Sequence, residues 1–313
     1  MIEARINEVR WDTGTVLRFE LRPMSGNEFP EFTAGAHIDL HLPNGLARSY
    51  SLLNSQNERH RYVIAVALAS PSRGGSRQLH DNVRPGDRLM ISGPRNLFPL
   101  DETANRTILL AGGIGVTPML SMAKRLQELS KTWKLIYCCR SRTTAALLED
   151  IAALQQESVE LWFDDERTHF LNIPEVLRTD PHAHFYCCGP QPMIEAFIKA
   201  ASDCGVDRDR THVEYFAPES GAATQGGYLV KLVRSAQTIS VLPGMTILDA
   251  IKAAGATAAS SCEAGICGEC QVRVIEGIPD HRDAVLSDVE QASNKIMMIC
   301  CSGSKSDVLV LDL

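Results

Sequence analysis

The sequence lacks a surplus of positive charge. Its 31 Lys and Arg are outnumbered by 38 Asp and Glu, a net charge of −7 with a pI near 5.7. Neither a nucleic-acid backbone nor an anionic membrane has a basic footprint to bind. Long apolar runs are also lacking: no stretch approaches the ~20 residues that span a bilayer. In place of a signal-peptide apolar core, the first twenty residues carry Glu3, Arg5, Glu8, Arg10, Asp12, Arg18 and Glu20. The expectation is a soluble, cytoplasmic protein with no nucleic acid and no membrane among its partners. There are no internal repeats and no long low-complexity tract, which removes repeat architectures from consideration. The 313 residues leave room for two or three domains. Cysteine, by contrast, is plentiful: ten residues, which in this setting read as metal ligands and buried thiols rather than disulfides.

The cysteines are concentrated near the end of the chain. Cys262, Cys267 and Cys270 stand in the spacing C-x4-C-x2-C, and Cys300 follows alone beyond a loop. That spacing is the plant-type [2Fe–2S] pattern, in which four thiolates hold two irons at low potential. Gly265 and Gly268 allow the loop to turn its amides toward the sulfurs. A structural zinc site is the alternative, but such sites carry paired knuckles, whereas here three cysteines crowd one loop. Cys300 and Cys301 end the apolar run Ile296–Ile299. On an extended backbone only one of them can face the cluster loop. The 29 residues between Cys270 and Cys300 resemble the plant-type spacing, which implies Cys300 as the ligand. A one-electron acceptor of this kind requires a source of electrons elsewhere in the chain.

Residues 1–103 alternate short β-leaning runs with turn signals: Ala4–Val9, Val16–Leu21, His37–Leu42, Ser49–Leu53, Tyr62–Ala67 and Asp87–Ile91, with Pro-Asn-Gly at 43–45 as a hairpin turn. The pattern predicts a small antiparallel barrel. Two features in it carry chemistry. Arg48-Ser49-Tyr50-Ser51 lies on a strand, and Ser72-Arg73-Gly74-Gly75-Ser76 opens a helix over Ser76–Asn82. Free amides at a glycine-rich helix start favour an anion, which an arginine on a neighbouring strand would complete. Each feature taken alone reads equally as a capped turn or a surface arginine. Together they resemble the flavin domain of the ferredoxin-reductase superfamily. The resemblance implies that Arg48, Gly74, Gly75 and Ser76 hold the flavin phosphate, that Tyr50 packs by the flavin beside Ser49, and that Ser51 approaches its N5.

Residues 104–217 read as a dinucleotide domain. A buried-strand run, Thr107–Ala111, enters Gly112-Gly113-Ile114-Gly115-Val116-Thr117-Pro118 and then a helix to about Leu129, the strand–glycine turn–helix order that seats a pyrophosphate. Strands at Lys134–Cys139, Val159–Phe163, His184–Cys188 and Thr211–Tyr215 alternate with helical stretches at 145–156 and 191–203, the pattern of a doubly wound parallel sheet. The G-x-G-x-x-G fingerprint is not met, because Pro118 stands at its third glycine, and Arg140-Ser141-Arg142 replaces the acidic residue expected after the second strand. G-G-x-G-x-T-P with a later Cys188-Gly189-Pro190 instead resembles the nicotinamide domain of the same superfamily. That resemblance implies Gly112, Gly113, Gly115, Thr117, Pro118, Cys188, Gly189 and Pro190 as cofactor residues, with Cys188 and Thr117 near the nicotinamide. Arg140 and Arg142 raise the question of a 2′-phosphate; the resemblance favours NADH.

Ala217–Gly227 is rich in Gly, Ala, Ser and Pro, so 218–227 is expected to be a linker and 228–313 a β-grasp ferredoxin. Its helix starts at Thr246-Ile-Leu-Asp249, a capping-box pattern. The order of the three parts resembles the phthalate dioxygenase reductase family, which includes vanillate O-demethylase reductases. The resemblance implies FMN, a [2Fe–2S] cluster and NADH as cofactors, a terminal Rieske oxygenase as partner, and Phe216 as an aromatic covering the flavin where nicotinamide enters. Flavin can take two electrons from nicotinamide and release them singly, which a [2Fe–2S] cluster needs. The alternatives are a stand-alone NADH:acceptor reductase serving a ferredoxin or a P450, and a non-enzymatic redox-sensing module.

Overall fold

A computed structural model describes residues 1–26, 28–69, 74–216 and 221–313. The first sheet contains β1 (Ile2–Thr13), β2 (Val16–Pro23), β3 (His37–His41), β4 (Ala47–Ser51), β5 (Tyr62–Ala67) and β6 (Arg88–Arg95), in the order β4-β3-β6-β1-β2-β5, with helix α1 (Gly75–Asn82) between β5 and β6. All of its pairings are antiparallel. Side-chain alternation explains the faces: Ala4 and Ile6 are fully buried between exposed Glu3, Arg5 and Asn7. The core of this sheet gathers Ile6, Phe19, Leu21, Ile38, Leu40, Tyr62 and Ile64. All six expected strands are present; β1 is longer than the reading, with pairing irregularities after Ile6 and Trp11.

The second sheet is parallel, in the order β11-β10-β7-β8-β9. It consists of β7 (Arg106–Gly112), β8 (Thr132–Cys139), β9 (Val159–Phe163), β10 (His184–Cys188) and β11 (Thr211–Glu214). Crossovers run through α2 (Val116–Glu128), α3 (Leu148–Ala152), α4 (Ile173–Arg178) and α5 (Gln191–Asp203). β7 and β10 are buried along nearly their whole length, as expected for strands covered on both faces. The helix read at 145–156 contracts to the five residues of α3. Ala145 and Ala146 are spent in the core, and Leu147 takes φ 60, which a helix cannot continue through; its amide is held by Asp12 Oδ2 at 2.7 Å.

The two sheets share one apolar core. Val16, Leu53, Val63 and Phe98 of the antiparallel part pack with Met119, Met122, Leu135 and Tyr186 of the parallel part. Polar contacts cross the same seam. Arg18 pairs with Asp150 at 2.5 Å, and Lys124 Nζ donates to the Leu53 carbonyl at 2.9 Å. Residues 1–214 accordingly form one compact unit, and 215–313 a second.

The second unit contains β12 (Tyr228–Leu232), β13 (Gln237–Val241), α6 (Ile247–Ala253), β14 (Gln271–Glu276), β15 (Pro279–Asp280), α7 (Asp288–Ser293), β16 (Ile296–Met298), β17 (Gly303–Ser304) and β18 (Val308–Leu311). Its main sheet runs β13-β12-β18-β14-β16, with β12 and β18 parallel. The Thr246–Asp249 capping box forms as read. The expected linker divides. Residues 217–220 lie outside the described residues, but 221–227 pack on this unit: Ala223 is buried and its amide donates to the Cys301 carbonyl at 2.7 Å.

Candidate redox sites

The first candidate site joins β4 to the start of α1. A Cβ built on Gly75 would fall 2.6 Å from Arg48 Cγ and 2.9 Å from Arg48 Nε, so the arginine lies against the bare backbone at the helix start. Gly74 precedes it at φ 91, and among the described residues no side chain caps the helix; a helix start of this kind favours an anion. Ser76 Oγ accepts from the Ala69 amide at 3.1 Å. Ser72 and Arg73 lie outside the described residues. Tyr50 packs against the antiparallel core, and burial pushes its phenol well up. Arg48, Gly74, Gly75 and Ser76 are thus brought together in a cradle that suits a flavin phosphate, with Tyr50 two residues along β4 from the arginine.

The opposite face of β4 is polar. Ser49 Oγ donates to Asp39 Oδ1 at 2.7 Å, which ties its hydroxyl proton to the neighbouring strand. Arg95 Nη2 reaches the same carboxylate at 2.5 Å. Buried Ser51 is the cross-strand partner of His37. Burial lowers the His37 imidazole to about 4, and its Nε2 has no partner among the described residues. Sequence reasoning missed His37 and Asp39; in the alternating strand His-Ile-Asp-Leu-His they read as a solvated face, and it is their burial that sets them apart.

The second candidate site lies at the carboxyl ends of the parallel strands. A Cβ on Gly115 would strike the Cys188 carbonyl oxygen at 2.2 Å, and one on Gly112 would meet Pro190 Cδ and Met193 Sδ at 2.7 Å. The glycine turn after β7 therefore lies directly on Cys188-Gly189-Pro190 after β10. Gly113 has nothing within 4 Å of its Cβ position, leaving that side clear for a ligand. α2 begins without a side-chain cap, and its first amides fit a pyrophosphate. Pro118 costs no bond in that first turn, and Thr117 Oγ1 donates back to the Ile114 carbonyl at 3.0 Å. Cys188 is fully buried, and burial followed by the nearby Glu214 carboxylate pushes its thiol well up.

Glu214 is the second residue that sequence reasoning missed. It pairs with Cys188 across β10 and β11, and its Oε2 is shut off from water with no partner among the described residues. Burial raises the carboxyl to about 8. A lone acid in His-Val-Glu-Tyr-Phe was the available signal. Phe216, two residues on, is 37% exposed. Arg140 is exposed, with its carbonyl accepting from the Asp165 amide at 3.0 Å.

In the second unit Cys262, Cys267, Cys270 and Cys300 are all buried. The Cys262 thiol meets those of Cys267 and Cys300, and Cys270 closes the same loop. Backbone amides already point at sulfur: Ala264 N donates to Cys262 Sγ and Gly265 N to Cys300 Sγ, each at 3.3 Å. Such N–H···S bonds suit thiolates holding an iron–sulfur cluster. The strand reading of the fourth cysteine needs correction. β16 stops at Met298, and Cys300 and Cys301 lie in a turn in which the Ser302 amide donates to the Met298 carbonyl at 3.0 Å. Strand alternation therefore does not separate the two thiols. What separates them is Gly265, whose amide bonds Cys300 while Cys301 Sγ sits 2.5 Å from its Cβ position.

Comparison with known proteins agrees with this arrangement. Residues 109–199 match the oxidoreductase NAD-binding domain family, and 230–304 match the 2Fe-2S iron-sulfur cluster binding domain family, which sets the zinc alternative aside. The chain is 49% identical to phenoxybenzoate dioxygenase subunit beta of Ectopseudomonas oleovorans, covering 100% of this chain and 97% of the relative. It is 46% identical to tetrachlorobenzoquinone reductase of Sphingobium chlorophenolicum, covering 100% and 98%. Among solved structures it superposes on phthalate dioxygenase reductase, described as modular for electron transfer from pyridine nucleotides to [2Fe-2S], with TM-score 0.80, 36% identity and coverage of 100% and 98%. With an antiparallel sheet, a parallel nucleotide sheet and a ferredoxin unit in that order along its whole length, the chain belongs to the phthalate dioxygenase reductase family, oxidoreductases that act as reductase components of oxygenase systems.

Proposed function

We propose that this protein takes electrons from NADH through FMN and a [2Fe–2S] cluster and delivers them to a terminal Rieske oxygenase. The observation that carries this reading is the full-length correspondence, module for module, with phthalate dioxygenase reductase. When bound, the flavin accepts the electron pair of the nicotinamide and passes it on one electron at a time.

The chain's own residues position and insulate these groups. Arg48 and the amides from Gly75 hold the flavin phosphate; Tyr50 supports the ring, and Ser51 presents its hydroxyl to the ring edge. Gly112, Gly113, Gly115 and the start of α2, with Thr117 and Pro118, seat the dinucleotide. Cys188, Gly189 and Pro190 would wall the nicotinamide, and Phe216 would supply the aromatic that the family likeness assigns to the flavin. Cys262, Cys267, Cys270 and Cys300 ligate the cluster. A cytoplasmic setting suits ten cysteines outside any disulfide. No helix among the described residues is long and apolar enough to cross a membrane.

Stopped-flow reduction by NADH tests the scheme. Flavin absorbance should bleach no later than cluster absorbance, and flavin-stripped protein should leave its cluster oxidised. Cluster reduction without flavin overturns the scheme. Mass spectrometry of the released flavin should give FMN; FAD refutes that assignment. The 46% identity to a benzoquinone reductase supports a second reading, direct reduction of a quinone. A quinone turned over faster than any Rieske oxygenase would favour it.

A further inference from the structure

The segment His281-Arg282-Asp283 lies between the third and fourth ligand cysteines and packs against the cluster loop. The Ala284 amide donates to the Gly265 carbonyl at 3.0 Å, and a Cβ on Gly265 would fall 3.2 Å from Asp283 Cα. Asp283 thus sits one residue's thickness from the backbone whose amide bonds Cys300 Sγ. Its side chain is 0% exposed. Oδ2 accepts from the Val285 and Leu286 amides at 3.2 and 2.8 Å, and Oδ1 from Ser302 Oγ at 3.4 Å. Ser302 Oγ in turn accepts from the Arg282 amide at 3.2 Å.

Little compensates this carboxylate. Arg282 is turned to Asp280, with Nε and Nη2 at 2.9 and 2.8 Å from Oδ2. The cation-capable group closest to it, His281 Nδ1, stands 3.7 Å away, too far for a hydrogen bond. Both nitrogens of that buried imidazole lack partners among the described residues. A buried carboxylate packed on the loop that would hold the cluster favours the cluster state with the less negative charge, because in a low-dielectric interior like charges repel strongly.

We propose that Asp283 is a positioning residue for electron transfer: its buried charge holds the cluster at a low potential, making it a stronger reductant for the partner. The inference rests on the cluster reading above and adds the residue that tunes it. No electron or proton passes through Asp283.

The test is a reductive titration of the full-length holoprotein, followed by the cluster's reduced-state EPR signal, for wild type, Asp283→Asn and Ser302→Ala. Asn can keep the geometry, with its oxygen on the two amides and its NH2 on Ser302 Oγ. Asp283→Asn should raise the ratio of reduced to oxidised cluster at fixed ambient potential about tenfold or more, 59 mV for one electron. Ser302→Ala removes a bond and no charge, and should change that ratio less than threefold. An unchanged ratio in Asp283→Asn overturns the proposal, as does an equal shift in Ser302→Ala. So does Asp283→Asn protein that takes up no cluster, since Asp283 would then serve assembly alone. If wild type gives no cluster signal, the cluster reading itself fails, a separate result.

Discussion

The Gly265 amide donates to Cys300 Sγ at 3.3 Å, while the neighbouring thiol, Cys301, fills the space where a side chain at 265 would begin. One residue of the cluster loop thus gives its two adjacent cysteines different environments. Serine at 300 should abolish or strongly perturb the cluster's visible absorption and reduced-state EPR signal, with flavin still bound. Serine at 301 should leave both spectra nearly intact. The reverse result would move the fourth ligand to Cys301. Gly265→Ala should also impair cluster uptake, because the new methyl meets Cys301 Sγ at 2.5 Å in a residue already at φ 68.

At the flavin cradle the Arg48–Gly75 approach makes a similar prediction. Gly75→Ala places a methyl 2.6 Å from Arg48 Cγ and pushes the guanidinium off the helix start. A lost charge-assisted bond costs about 1.5–3 kcal/mol, so FMN affinity should fall at least about tenfold. Fluorescence titration of flavin-stripped protein measures it. Arg48→Ala should lose as much, and combining the two changes should add little. Full additivity would show that Gly75 acts on the flavin without Arg48.

Glu214 makes stability depend on pH. Burial raises its carboxyl from 4.5 to about 8, so between those values the folded state holds a proton that the unfolded state has released. Stability from this group is therefore present at low pH and falls as pH rises toward 8, by up to about 1.4 kcal/mol per unit. His37 works in the opposite sense. Held down to about 4 from 6.5, it is neutral when folded and charged when unfolded, so its stability is lost as pH falls below 6.5. The two oppose each other at acid pH, and Glu214 stands alone from 6.5 to 8. Glu214→Gln should flatten the decline of the first unfolding midpoint across that window, measured by thermal denaturation. An unchanged slope would mean that Glu214 is ionised in the fold.

These sites were unequally legible in the sequence. Glycines bounded by a buried run exposed the turn after β7, and the Thr246–Asp249 capping box exposed the start of α6. Both signals are local, because period and turn chemistry act within a few residues. What remained hidden depends on distant partners. Leu53 and Met122 belong to one core, so the two nucleotide sheets form one unit where composition reads as two. Ala223 looked like linker because small residues usually solvate, yet its amide holds the turn at Cys301. Glu214 carried only the weak signal of a lone acid in a strand, Asp283 lies in a charged string with none, and burial in the fold is what marks both out.

The choice between NADH and NADPH turns on the loops after β8 and β9. Arg140 and Arg142 occupy the turn where a 2′-phosphate could be read, and neighbouring groups engage the Arg142 side chain. The Arg140 carbonyl accepts from the Asp165 amide. The Arg142 guanidinium lies 4.6 Å from the Phe163 ring centroid, with Nε 3.5 Å from Glu166. Asp164, Asp165 and Glu166 follow directly after β9; three carboxylates in this turn would disfavour a 2′-phosphate and would accept from a 2′-hydroxyl. Neutralising two of them, Asp165→Asn with Glu166→Gln, should raise kcat/KM for NADPH relative to NADH about tenfold, equivalent to about 1.4 kcal/mol, with the NADH value little changed. Arg142→Ala should leave that ratio within about twofold. A large loss of NADPH activity in Arg142→Ala would instead make this arginine a phosphate reader, and an unmoved ratio in the double variant would free the acidic loop of any part in the choice.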